Sequence, residues 1–157
     1  MVFHVKHLEK VININIVFGR KTSNWKSVKS WLLSVAKKEK KTIHGLSYTV
    51  LNDEDVYKIN LSVLKHNFYT DIITFDLSDT RNIIEGDVYI SYGRIKENAK
   101  TFHVKLDTEY RRVLLHGLLH LVGYNDKSTS QQKEMREREN FYLARFDRYY
   151  NKKQNAR

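Results

Sequence analysis

Residues 11–18 read VININIVF, an alternation of aliphatic residues and asparagine whose period of two suits a half-buried strand. Beyond a turn at 19–24, Val28, Trp31, Leu32 and Val35 recur at helical spacing. Ser23 or Asn24 is placed to cap that helix, which runs into a lysine-rich stretch before Gly45. A second strand is expected over 46–51. Asn52 or Asp53 then caps a short helix through Val56, Ile59 and Leu64, and the β-branched runs 70–75 and 83–90 supply a third and a fourth strand. Gly86 interrupts the fourth run, which marks a bulge, a close approach of backbone or a plain turn. Residues 94–102 read as helical. A longer helix starts near Asp107 or Thr108, with Thr108 as its cap, and ends at Val122. Ser128 or Thr129 caps a last helix that carries Met135, Arg138, Phe141, Tyr142 and Phe146. This order predicts one α+β domain over residues 1–150, a small mixed four-stranded sheet packed with helices, followed by a polar tail at 151–157 that is expected to fray.

Composition changes that picture little but narrows the setting. A chain of 157 residues, 41% of them hydrophobic, can bury a sizeable core in one unit. No apolar run reaches the roughly 18 residues of a membrane span, and the N-terminus lacks the apolar stretch of a secretory signal, so a cytoplasmic protein without a membrane partner is expected. Cysteine is absent, which excludes disulfides and thiolate metal sites. The formal net charge of +10 favours capture of polyanions, nucleic acid first among them. Part of it lies in Lys37, Lys38, Lys40 and Lys41, and part in Lys152, Lys153 and Arg157 of the tail.

The chemistry concentrates in HGLLHLVGYND, residues 116–126. His116 and His120 stand four residues apart, so on a helix both imidazoles reach one cation from the same face. Gly123 permits the left-handed conformation that ends a helix and lets the chain fold back, bringing Asp126 to the same cation. Two histidines and a carboxylate make three protein ligands, the number that leaves a catalytic zinc one open position, whereas a structural zinc is closed by four. The helix around the pair is apolar almost all round, and buried imidazoles need partners.

From these residues the chain is identified as resembling the YbeY endoribonuclease family, whose motif reads His-Gly-x-x-His-Leu-x-Gly-Tyr-Asp-His. The segments TDIITFD, from Thr70, and EGDVYIS, from Glu85, are similar to two further family strands, and Glu134, Met135 and Glu139 are family-like positions of the last helix. The resemblance covers about 100 residues in order. It implies an α+β metalloprotein with a metzincin-like metal helix, one zinc ion per chain, and endoribonuclease activity in maturation of ribosomal RNA, above all of the small subunit, and in ribosome quality control. RNA and the small ribosomal subunit or its proteins are the implied partners, and a monomer is the default state. The family's third histidine aligns with Asp126, whose negative charge lowers the Lewis acidity of the metal and raises the pKa of its bound water. A family arginine thought to face the substrate aligns with Leu64, leaving Lys65 and His66 beside it as candidate substrate contacts.

For RNA hydrolysis a metal polarises a phosphoryl oxygen and delivers hydroxide, and either a metal-bound water or the 2′-hydroxyl is the attacking group. No protein residue is singled out as catalytic, and Thr70 and Asp71, which match a family strand, read equally well as hydrogen-bonded strand-end residues. A zinc peptidase places a glutamate directly after the first histidine, where Gly117 stands here. The rival reading is a non-catalytic RNA- or ribosome-binding assembly factor with a structural metal. Tyr124 either contacts a base or packs over the ligand helix, and Arg111 and Arg112 either face phosphate or lie on the solvent side.

Overall fold

The computed structural model describes residues 11–22 and 24–150. Ser23 and the tail at 151–157 lie outside the described residues, as do residues 1–10. Four strands and five helices follow one another among the described residues: β1 (Ile12–Ile16), α1 (Trp25–Lys38), β2 (Thr42–Leu51), α2 (Asp53–Leu64), β3 (Ile72–Asp76), β4 (Ile83–Ser91), α3 (Tyr92–Thr101), α4 (Leu106–Val122) and α5 (Thr129–Tyr149). The sheet order is β1-β2-β4-β3, with β1 and β4 parallel to β2 and β3 antiparallel to β4, so the expected mixed four-stranded sheet is present.

Register explains which strand residues are buried. Ile12, Ile14 and Ile16 stand opposite Leu46, Tyr48 and Val50, which in turn pair with Gly86, Val88 and Ile90. Because side chains alternate across a strand, these positions share one sheet face. Trp31, Leu32, Leu114, Leu118 and Phe146 from the helices complete the core over that face. The Tyr48 hydroxyl crosses the core to donate to the Leu114 carbonyl of α4 at 2.8 Å, and the Trp31 indole donates to the Tyr142 carbonyl of α5 at 2.9 Å.

Several expectations are corrected by backbone detail. Strand β2 begins at Thr42, not at 46, because the register shifts between Ile43 and Gly45 and the glycine continues the strand. Helix α4 starts at Leu106 with Lys105 at its N-cap position, so Thr108 lies inside the first turn and does not cap it. Asn24 occupies the N-cap of α1 in a left-handed conformation, without a capping bond from its side chain. Asn52 and Ser128 do cap their helices, Ser128 in a reciprocal box with Gln131.

Gly86 is a close approach and not a bulge. A Cβ there would lie 2.7 Å from a Leu121 methyl and 3.0 Å from the Phe75 carbonyl oxygen. From the helix side, a Cβ on Gly117 would lie 3.1 Å from both Ile72 and Val88. Helix α4 thus settles on β3 and β4 through two positions without side chains. We predict that Gly86→Ala destabilises the protein by about 1–3 kcal/mol through overpacking, read from the denaturation midpoint.

Candidate metal centre

Helix α4 is apolar because it is enclosed. Val113, Leu114, Leu115, Leu118 and Leu119 are buried, while His116 and His120 sit on the face that looks out of the core, with side chains 22% and 24% exposed. Gly123 ends the helix at φ 127°, and the Tyr124 amide donates back to the Leu119 carbonyl at 3.0 Å. That turn carries the chain back so that Asp126 stands beside the two histidines. His116 Nε2 and His120 Nε2 are 2.9 Å apart, and Asp126 Oδ2 lies 3.3 and 3.4 Å from them.

The other ring nitrogens fix the tautomers. His116 Nδ1 is 2.8 Å from Glu139 Oε2, and His120 Nδ1 is 3.0 Å from the Tyr124 carbonyl oxygen. Both partners only accept, so each Nδ1 carries hydrogen and, in the neutral rings that bind a metal, each Nε2 is left with a lone pair. Two lone pairs and a carboxylate oxygen then converge on one point, an arrangement that calls for a cation among them. A tetrahedral ion with ligands about 2.0–2.1 Å away sets those ligands about 3.3 Å apart, close to the edges seen here. The three residues therefore fit a zinc-sized ion, and among the described residues no other group of three or more His, Cys, Asp or Glu side chains is so placed.

Around the triad lies a set of charges that spacing along one helix reveals only in part. Glu139, whose side chain is 5% exposed, accepts from His116 and from Arg112 at 3.0 Å. Burial acts to raise its pKa, yet the hydrogen bonds from His116 and Arg112 hold it below the usual carboxylate value. For His116 burial acts to lower the pKa, but Glu139 outweighs it and the imidazole lies above its ordinary value. His120 is pushed down by burial and by the neighbouring His116. Glu109, one helical turn before Arg112 and Val113, is buried and its pKa is raised by burial. Glu109, Arg112 and His116 repeat at helical spacing and were findable from it. Glu139 arrives from α5, and no local pattern announces the contact.

Arg112 thus faces the site, whereas Arg111 is buried on another side of α4 with its guanidinium 4.3 Å over the Phe146 ring. Tyr124 packs partly against the core and donates its hydroxyl to Glu39 at 2.6 Å. Two cavities open on the triad. One, of about 440 Å³, is bordered by Glu109, Arg112, Arg136 and Glu139. The other, of about 480 Å³, is bordered by Leu64, His66, Phe68 and the strand β3. His116, Asp126 and Asp71 line both. His66 therefore borders a cavity that the triad also borders, while Lys65, left-handed at the end of α2, lies outside both linings. Asp71, just before β3, borders both cavities beside the triad. Gly117, pressed against Ile72 and Val88, has no room for the glutamate of a peptidase. Among the described residues no helix is long and apolar enough to cross a membrane.

Comparison with known proteins agrees with the motif. The family model of endoribonuclease YbeY matches residues 13–147. The chain is 46% identical over 117 residues to endoribonuclease YbeY of Cytophaga hutchinsonii, an alignment covering 74% of this chain and 82% of that one. It is 38% identical over 136 residues to endoribonuclease YbeY of Flavobacterium johnsoniae, covering 87% and 97%. A solution structure of a Thermotoga maritima protein superposes with a TM-score of 0.62 at 26% identity, over 84% of this chain and 86% of that one.

Proposed function

The chain belongs to the YbeY endoribonuclease family, and on that premise we propose that it is a zinc-dependent endoribonuclease of the cytoplasm, acting on ribosomal RNA in small-subunit maturation and ribosome quality control. The observation that carries the metal dependence is the convergence of His116 Nε2, His120 Nε2 and Asp126 Oδ2 with both Nδ1 atoms already committed elsewhere.

In this reading His116, His120 and Asp126 hold the ion. When bound, zinc supplies Lewis acidity toward a phosphoryl oxygen of the substrate. Glu139 fixes the ring of His116, and the Tyr124 carbonyl fixes that of His120, so both donors keep their aim without reorganising. Arg112 neutralises Glu139 and keeps that buried carboxylate ionised. Arg136, more than half exposed on the rim beside Glu139, and Lys127, which borders the second cavity, supply positive charge for the flanking phosphates. Lys65 and His66 are the candidate substrate contacts, His66 from within the cavity. The two cavities leave the triad approachable from both sides, as a strand passing across it requires, and this favours a catalytic over a purely structural ion.

The test is incubation of the zinc-loaded protein with RNA spanning the ends of the small-subunit precursor. Cleavage that a chelator removes and zinc restores is expected. Cleavage unchanged by the chelator would overturn the metal dependence, and no cleavage with zinc or another divalent ion would overturn the nuclease reading.

A further inference from the structure

We propose that the His66 and Phe68 rings form a stacking platform for the nucleobase next to the phosphodiester held at the histidines. The inference rests on the nuclease reading above. The two rings lie nearly parallel, 5.2 Å apart at 17°, and Phe68 is 54% exposed although it is a large apolar side chain. Both border the cavity that His116, His120 and Asp126 also border. An exposed aromatic pair at the wall of a phosphodiester site offers what a single strand presents at every nucleotide, a π face beside a charged backbone.

The segment that carries the rings is held rigidly. Asn60, 2% exposed in α2, accepts the His66 amide at its backbone oxygen at 3.0 Å and donates from its side chain to the Phe68 carbonyl at 2.9 Å. One buried residue thus clamps the backbone at both rings. Next along the chain, Tyr69 stacks on Tyr57 at 4.4 Å, lies under the Arg94 guanidinium at 5.4 Å, and donates its hydroxyl to Glu54. These contacts spend the ordering entropy during folding, so a base meets a surface already in place. Lys127 borders the same cavity and offers positive charge to the backbone of the stacked nucleotide. An apolar peptide side chain is the other occupant such a wall suits, but the net charge of +10 favours a polyanion.

The experiment compares binding of two strands of equal length and charge, a nuclease-resistant 2′-O-methyl phosphorothioate oligoadenylate and its abasic counterpart, by fluorescence anisotropy. Wild type is expected to prefer the strand with bases. Phe68→Ala should weaken that strand about ten-fold and leave the abasic strand unchanged, while Phe68→Trp restores the preference. Phe68 is exposed, so these variants fold, and circular dichroism verifies it. Equal loss on both strands, or no loss on either, overturns the platform. Wild type that cleaves RNA yet binds both strands equally overturns the platform alone. Base-dependent binding by a protein that cleaves no RNA overturns the nuclease reading and leaves the platform standing.

Discussion

His120→Ala is expected to reduce RNA cleavage by more than about 100-fold while the protein stays folded. Loss of a residue that merely orients a ligand lowers metal affinity or activity by about 10–100-fold, and loss of a ligand exceeds that. Only His116 and Asp126 would remain, two protein donors where a catalytic zinc takes three. The fold has little stake in this side chain. Besides its neighbours in the triad, His120 bonds only the Tyr124 carbonyl, and alanine suits a helix interior. A cleavage time course beside a thermal melt checks both halves, and a variant that melts like wild type and still cleaves at a comparable rate would contradict the assignment.

Glu139→Gln is expected to act through His116 without touching the ion. The amide keeps the shape but removes the charge that orients His116 and balances Arg112. Zinc affinity should fall about 10–100-fold, measured by competition with a chelator. Stability should fall by about 1.5–3 kcal/mol, because Arg112 loses its nearest charged partner and keeps only Asn140 at 3.0 Å and Glu109 at 4.0 Å. In the metal-free protein the two also differ with pH. Glu139 titrates below the ordinary carboxylate value, so its stabilisation is present above that value and is lost as pH falls through the lower one. The glutamine variant should lack this acid-limb loss, and identical acid unfolding of the two proteins would contradict the pairing.

How much of this was legible in the sequence depends on range. The helix bearing His116 and His120, the turn at Gly123 and the return to Asp126 follow from spacing within a few residues, and the structure brings all three together. The sheet was also legible, since its strands alternate or are rich in β-branched residues. Gly45 misled as a boundary because one glycine serves equally in a turn and in a register shift. Thr108 misled because a threonine near a helix start caps only if it precedes the first turn, and Leu106 already lies in it. Glu139 and Asn60 were not readable in their roles. Each acts through a contact between segments, Glu139 from α5 to α4 and Asn60 from α2 to the loop before β3.

In the proposed metal centre His116, His120 and Asp126 hold one ion, with Asp126 aligned to the third histidine of the family motif. Metal content of the purified protein is measured by mass spectrometry for wild type and Asp126→Ala at equal folded concentration. About one zinc per chain in wild type, lost in Asp126→Ala and regained in Asp126→His, is the predicted result. Wild type that stays metal-free after zinc is added, or Asp126→Ala that retains a full equivalent, would contradict it.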